Sequence, residues 1–244
     1  MPISRSLVRR RWPVVTAIVI VPIAVLVAVY LAFFTPDSPE KLSLTKSAGE
    51  SGASSGGSAA DASDLEGTWR VSSDSQAGYR VREKLAALPA SSDAVGRTSA
   101  ITGSVTLAKS GSGVRMSNAT FDADVSQLKS DEARRDNRIR TVGLETDQFP
   151  KASFVASAPI DVPGSALNGS AAKLSTTGDL TMHGVTKRLT LPIQAQFING
   201  KIEVVGSYTF PWAEFGMSAP SVGPFVTVES DPTLEFKLVL ERAV

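Results

Sequence analysis

His183 is the one side chain in this sequence suited to acid–base chemistry near neutrality, because it is the only histidine and cysteine is absent. The residue types of a Ser-His-Asp triad are present, since serine and aspartate are plentiful. Two features oppose a hydrolase: no G-x-S-x-G elbow occurs, and the histidine is followed at once by Gly184 in what reads as a tight turn. A turn or hydrogen-bonding role fits better. The cluster Arg134-Arg135-Asp136, with Arg138 and Arg140, has the charge to hold an anionic head group. Its plainer reading is a solvated helix face whose ion pairs contribute roughly 0–1 kcal/mol each. Glu83 lies in one alternating row with Tyr79, Val81 and Leu85, which turns it inward. An isolated buried carboxylate is costly, so it needs a basic partner or a raised pKa, unless the strand end there is wet.

The elements that position these residues read as β-strands. Gly178 to Phe197 forms a hairpin turning at His183-Gly184. Leu180 and Met182 point one way on its first arm; Leu189, Leu191, Ile193, Ala195 and Phe197 make one apolar row on the second. Pro192 falls in the opposite, polar row, where a proline fits an edge or a bulge better than a central ladder. Upstream, Gly67–Val71 carries Trp69, an expected barrel-end plug, and Tyr79 to Leu85 alternate with Arg80, Arg82 and Lys84. Residues 86–97 read as an excursion ending in a short strand. Ile101 to Leu107 and Ala119 to Val125 alternate again, with a turn at Ser110 to Gly113 between them. Further strands are expected over Phe154–Ile160, Ala171–Met182, Lys187–Phe197, Ile202–Phe210 and Leu234–Glu241, and Asn199-Gly200 is a hairpin signal. Residues 218–233 read as loop. Between Lys129 and Gln148 the period changes: Ser130 or Asp131 as cap, acids early and arginines late predict one short helix ending at Gly143.

Composition narrows the chemistry. Without cysteine there is no disulfide, no thiol nucleophile, no lipoprotein cysteine and no thiolate metal site. One histidine excludes a histidine-rich zinc or haem site and leaves only a carboxylate metal site open. No metal and no cofactor is expected. A net charge of +1 gives no support to nucleic-acid binding.

The N-terminal quarter reads differently. Residues 1–13 carry Arg5, Arg9, Arg10 and Arg11 and no acid; Val14 to Phe34 then runs without a charge. As a helix, that run would span about 31 Å, the thickness of the hydrocarbon core. The arginines ahead of it predict a single-pass anchor with a cytoplasmic N-terminus and everything after residue 35 outside. A cleavable signal peptide fits less well, because the run is long and lacks an A-x-A site. Residues 35–64, rich in Ser, Gly and Ala, read as a flexible tether reaching about 30 Å. The folded domain is expected over 65–244.

Three segments carry a resemblance. Gly178 to Pro192, GDLTMHGVTKRLTLP, is similar to the Gly-Leu-Thr-x-His-Gly-Val-Thr-Lys segment of the YceI-like family. Arg135-Asp136, followed by Phe149-Pro150-Lys151-Ala152-Ser153-Phe154, resembles the family's Arg-Asp and Pro-x-x-x-Phe pattern, and Glu214-Phe215-Gly216-Met217 its acidic-Phe-Gly segment. Two departures stand out: Glu83 where a histidine is common nearby, and Trp212 where arginine often precedes the acidic-Phe-Gly segment. The resemblance implies a mainly β protein, an antiparallel eight-stranded lipocalin-like β-barrel with a short helical insertion. It also implies a polyisoprenoid or isoprenoid-quinone-like lipid as partner, bound without catalysis. The inward rows then supply the lumen: Val105, Phe121, Ala123, Val125, Phe154, Leu180, Met182, Leu191, Ile193, Val204, Tyr208 and Phe236. Glu83, Arg135, Asp136 and His183 are the candidate polar head-group contacts. The expected function is a membrane-anchored, extracytoplasmic binding protein for such a lipid. The alternatives are an envelope interaction module whose barrel is filled by its own side chains and, less favoured, a hydrolase using His183.

Overall fold

The computed structural model describes residues 38–46, 61–85, 91–220, 226–228 and 231–243. The basic segment 1–13, the apolar run 14–34 and most of the expected tether lie outside them. Among the described residues, no helix is long and apolar enough to cross a membrane.

Alternation decides the architecture. In β8 (Ala172–Met182), Thr176, Gly178, Leu180 and Met182 are buried in turn, so one face of the strand is dry. β8 returns as β9 (Val185–Ile198) through His183-Gly184, whose φ values of 50° and 71° are both positive, as a two-residue hairpin turn with matching twist requires. Asn199-Gly200 repeats the device between β9 and β10 (Lys201–Thr209), with φ values of 52° and 75°.

The other strands close the sheet. β1 (Gly67–Val71) leads into β2 (Gln76–Leu85), and β3 (Ser92–Thr98) leads into β4 (Ile101–Ser110). β2 pairs with β3 and β1 with β4, so the four pieces form one long, bent hairpin. β5 (Gly113–Asp124) pairs with β4 on one side. On its other side it pairs with β6 (Lys151–Ala156) and, further along, β7 (Ile160–Val162). β6 pairs with β8, β9 with β10, and β10 with β12 (Thr233–Arg242). β12 then meets both β2 and β1, which shuts an antiparallel barrel of eight strands, with β1–β2, β3–β4 and β6–β7 each counted as one.

One end of the barrel is plugged. A 3-10 turn, Ala62–Leu65, packs there with Trp69, Leu107, Val114, Leu167 and Ile202. Trp69 is 2% exposed, and its indole N–H donates to the Leu65 carbonyl at 2.8 Å. The other end carries the helix. α1 (Ala133–Arg138) continues into a wider π-type turn, Ile139–Gly143. Its N-cap is Glu132, whose carboxylate accepts from the Arg134 N–H at 3.0 Å, rather than Ser130 or Asp131. Ser130 is instead held by Asp136, which accepts from its N–H at 2.9 Å and its hydroxyl at 2.6 Å.

Several expected boundaries move, each for a pairing reason. The stretch read as loop contains β11 (Val226–Val228), which pairs with Glu83–Leu85 where β12 no longer covers β2. The strand expected over Phe154–Ile160 is broken into β6 and β7, because each half pairs with a different part of β5. Pro192 lies neither on an edge strand nor in a bulge. It pairs with Ser175 at the point where the β9–β10 ladder ends, at Ile193 and Gly206, so its missing N–H takes nothing from that ladder.

Within the stretch whose composition reads as tether, Pro39–Lys46 lies against the outside of the barrel wall. Arg80 donates to the Pro39 carbonyl at 2.7 Å and Arg97 donates to that of Glu40. Glu203 accepts from the Thr45 N–H at 2.8 Å and hydroxyl at 2.6 Å, while the Gln196 amide donates to the Thr45 carbonyl at 2.9 Å.

Candidate functional site

The inward rows enclose two apolar compartments. The middle one, about 110 Å³, is lined by Phe121, Phe154, Leu180, Leu191, Ile193, Val204 and Phe236, with Met116, Ala119 and Leu238 below them. The mouth compartment, about 60 Å³, lies toward the helix end and is lined by Tyr79, Val125, Leu128, Ile139, Leu144, Phe149, Met182, Phe210, Trp212 and Met217. Ala77, Ala123, Ala152 and Leu234 line both. These three alanines and one leucine form a waist of small side-chain bulk at which the two spaces adjoin.

Ten of the twelve expected lumen residues, among them Ala123, line one compartment or both. Val105 and Tyr208 do not. Val105 is fully buried opposite Trp69 in the plugged end. Tyr208 stacks on Phe210 at 5.7 Å and donates its hydroxyl to Glu214 at 2.7 Å. Burial and that carboxylate push the Tyr208 hydroxyl up to about 12.

The four polar candidates are brought to the helix end and held by internal partners. Glu83 is 5% exposed and is inward, as its row requires; Arg135 donates to it at 2.5 Å. Arg135 also bonds Asp131 and donates to the Ser130 hydroxyl at 3.3 Å. Burial works against the Arg135 charge, and Glu83 with Asp131 outweighs it, so its pKa is raised. Asp136 serves Ser130, as described above. His183 presents Nδ1 to the Phe215 carbonyl at 3.1 Å and Nε2 to Glu145 at 2.7 Å. A carbonyl only accepts, so the bond to Phe215 requires the hydrogen on Nδ1. Phe149 covers the imidazole at 4.4 Å between ring centres. Phe215 is fully buried edge-on to Phe210 at 5.1 Å, and Gly216 turns the chain at φ 70°.

The segments that carry the family resemblance therefore knit the mouth together: Arg135 anchors α1 to β2, and His183 ties the β8–β9 turn to Glu145 and to the Glu214–Gly216 turn. With both ring nitrogens occupied, His183 has none to serve as base for a serine. Two hydroxyls stand apart. Tyr79 Oη, in the mouth compartment, and Thr176 Oγ1, in the middle one, are buried without a hydrogen-bond partner among the described residues. Periodicity places both on inward rows, but their lack of partners is a tertiary fact. Trp212 and Met217 come from a 3-10 turn and a loop, where no period marks an inward face. Ala119 and Leu234, by contrast, sit in legible alternating rows.

Comparison with known proteins agrees with this geometry. Residues 69–240 match the model of the YceI-like domain. UPF0312 proteins of Vibrio parahaemolyticus and Vibrio campbellii are each 37% identical over 90 residues, which covers 36% of this chain and 39% of each relative, so the match spans well under half the length of these curated relatives. Among solved structures, a polyisoprenoid binding domain from Saccharophagus degradans implicated in plant cell wall breakdown superposes with a TM-score of 0.52 at 14% identity, covering 72% of this chain and 98% of that one. Burkholderia cenocepacia BcnA gives a TM-score of 0.51 at 19% identity, covering 69% and 98% respectively. Identities this low speak to the fold alone.

Proposed function

Because the chain belongs to the YceI-like domain family, we propose that its barrel binds a polyisoprenoid or similar long amphiphilic lipid, tail inward, without catalysing a reaction on it. The observation that carries this reading is the pair of apolar compartments that adjoin at the alanine waist. A slim hydrocarbon suits a passage of that shape, and each buried methylene contributes roughly 0.8 kcal/mol. One of the similar structures is itself described as a polyisoprenoid binding domain, which supports the same ligand class. We further propose that the apolar run Val14–Phe34 anchors the protein in the cell membrane as a single pass, with the arginines before it on the cytoplasmic side and the barrel outside.

The size of the lumen favours a second reading, a barrel filled by its own side chains and used as an interaction module of the envelope. Both compartments are smaller than the roughly 150 Å³ cavity that takes up one benzene. For a long tail to enter, Phe121, Phe154 and Phe236 must change rotamer and Met116, Met182 and Met217 must yield, as flexible methionines do. Mass spectrometry of organic extracts from the purified chain, followed by uptake of added polyprenol, decides between the two. The lipid reading expects a co-purifying apolar ligand or saturable uptake. Chain that extracts clean and takes up no polyprenol leaves the filled barrel. Protease added to intact spheroplasts tests the orientation: digestion of the barrel is expected, and full protection overturns it.

A further inference from the structure

Tyr79 is 9% exposed, lines the mouth compartment, and has no hydrogen-bond partner for its hydroxyl among the described residues. Its ring needs no hydroxyl to pack, since it lies flat enough on β3 that a Cβ built at Gly96 would fall 2.4 Å from its Cε1. A buried, unpaired hydroxyl is a standing cost that native structures rarely carry without a reason. Burial, and the carboxylates of Asp136, Glu83 and Asp131, raise its pKa against the pull of Arg135, so it stays a donor.

The charges around it are already used. Arg135 is committed to Glu83 and Asp131, and His183 to Glu145. Lys151, which also lines the mouth, stands 3.6 Å from Asp122. Among the described residues that line this compartment, no lysine or arginine other than Lys151, already beside Asp122, is placed to meet an anionic head, which would leave water beside existing carboxylates. A neutral oxygen needs only the one hydroxyl.

We propose, building on the lipid-binding reading above, that the Tyr79 hydroxyl hydrogen-bonds the polar end of the ligand in the mouth compartment, and that this end is a neutral oxygen, an alcohol or a carbonyl, rather than a phosphate. The tail then passes the alanine waist into the middle compartment. Thr176, the other unpaired hydroxyl, lies along the path of the tail and contributes nothing to head-group choice.

Three probes with one fifteen-carbon tail separate the possibilities: farnesene without a head, farnesol with a neutral one, and farnesyl phosphate with an anionic one. Binding to the full chain, held in a fluorinated surfactant that does not mix with prenyl chains, is followed by tryptophan fluorescence, since Trp212 lines the mouth. Farnesol is expected to bind roughly three- to ten-fold tighter than farnesene, the yield of one neutral hydrogen bond. Farnesyl phosphate is expected to bind more weakly than farnesol. Tyr79→Phe, which keeps the ring, should erase the advantage of farnesol, leave farnesene unchanged and melt no lower than the parent. Thr176→Val should leave the order of the three intact. The proposal is overturned if the phosphate binds tightest, if farnesol and farnesene bind alike in the parent, or if the preference survives Tyr79→Phe, whether or not Thr176→Val then removes it. If none of the three binds, farnesene included, the lipid reading itself fails and takes this proposal with it.

Discussion

Adjacent residues of β2 meet burial in opposite ways. Tyr79 faces the lumen and leaves its hydroxyl unpaired. Arg80, next to it, faces the outer wall, is 8% exposed, and has all its nitrogens bonded: to Glu235 at 3.3 Å, to Asp93 at 3.2 Å and to the Pro39 carbonyl at 2.7 Å. The contrast extends around the barrel. Under Pro39–Lys46, outward side chains form two sets of ion pairs and hydrogen bonds, Arg80 and Arg97 with Glu235, and Gln196 and Lys237 with Glu203. The lumen is apolar, with two hydroxyls left over. A polar network that satisfies itself is structural. A wall that leaves isolated hydroxyls in an apolar space is where a ligand is to be sought.

The strongest blow to the outer network is Glu235→Ala. Glu235 is 4% exposed and answers both Arg80 and Arg97, so its loss strands buried guanidinium charge. A loss of about 3–5 kcal/mol is expected in denaturant unfolding. A drop below 1 kcal/mol would mean that water reaches this wall and that the two faces differ less than their contacts imply.

Next comes Glu83→Gln, at the mouth, where the two regimes meet. Considered alone, a buried carboxylate is best neutralised. Beside Arg135 the same change removes a charged hydrogen-bond acceptor, and about 1.5–3 kcal/mol of destabilisation is expected by thermal unfolding. A neutral or stabilising effect would show that Arg135 finds solvent when released.

Ala123→Phe probes the lumen at its waist. Polyprenol uptake should stop while the ligand-free protein melts near the parent. A dry, fully packed interior would instead lose about 1–3 kcal/mol through overpacking, with no uptake in either protein.

The smallest effect concerns the segment against the outer wall. Burial opposes the Glu203 charge, but the hydrogen bonds from Thr45, Gln196 and Lys237 outweigh it and hold the carboxyl below its ordinary value. A lowered carboxylate pKa stabilises the docked segment above the ordinary carboxylate range, and that stability is lost as pH falls through the folded pKa. Amide exchange at Thr45 should stay protected at neutral pH and rise, beyond the intrinsic rate change, only in acid. Protection unchanged across that range would remove Glu203 as its anchor.

Strand alternation made most of the barrel wall legible. Leu180, Met182, Leu191 and Ile193 follow a period of two, and two-residue turns at His183-Gly184 and Asn199-Gly200 announce themselves because both need positive φ. The inward direction of Glu83 followed from the same rule. Its partner did not, since Arg135 lies 52 residues away and no local pattern records the meeting of α1 with β2. The break of one strand into β6 and β7, the pairing of β11 and the place of Pro192 also depend on which neighbour each residue finds. So does the seating of Pro39–Lys46, whose composition reads as unable to fold: its hydrogen bonds are to side chains more than thirty residues away. Periodicity is a property of single strands and survives in the sequence. The cavity, the paired charges and the two hydroxyls without partners are properties of strands brought together, and only closure of the barrel decides them.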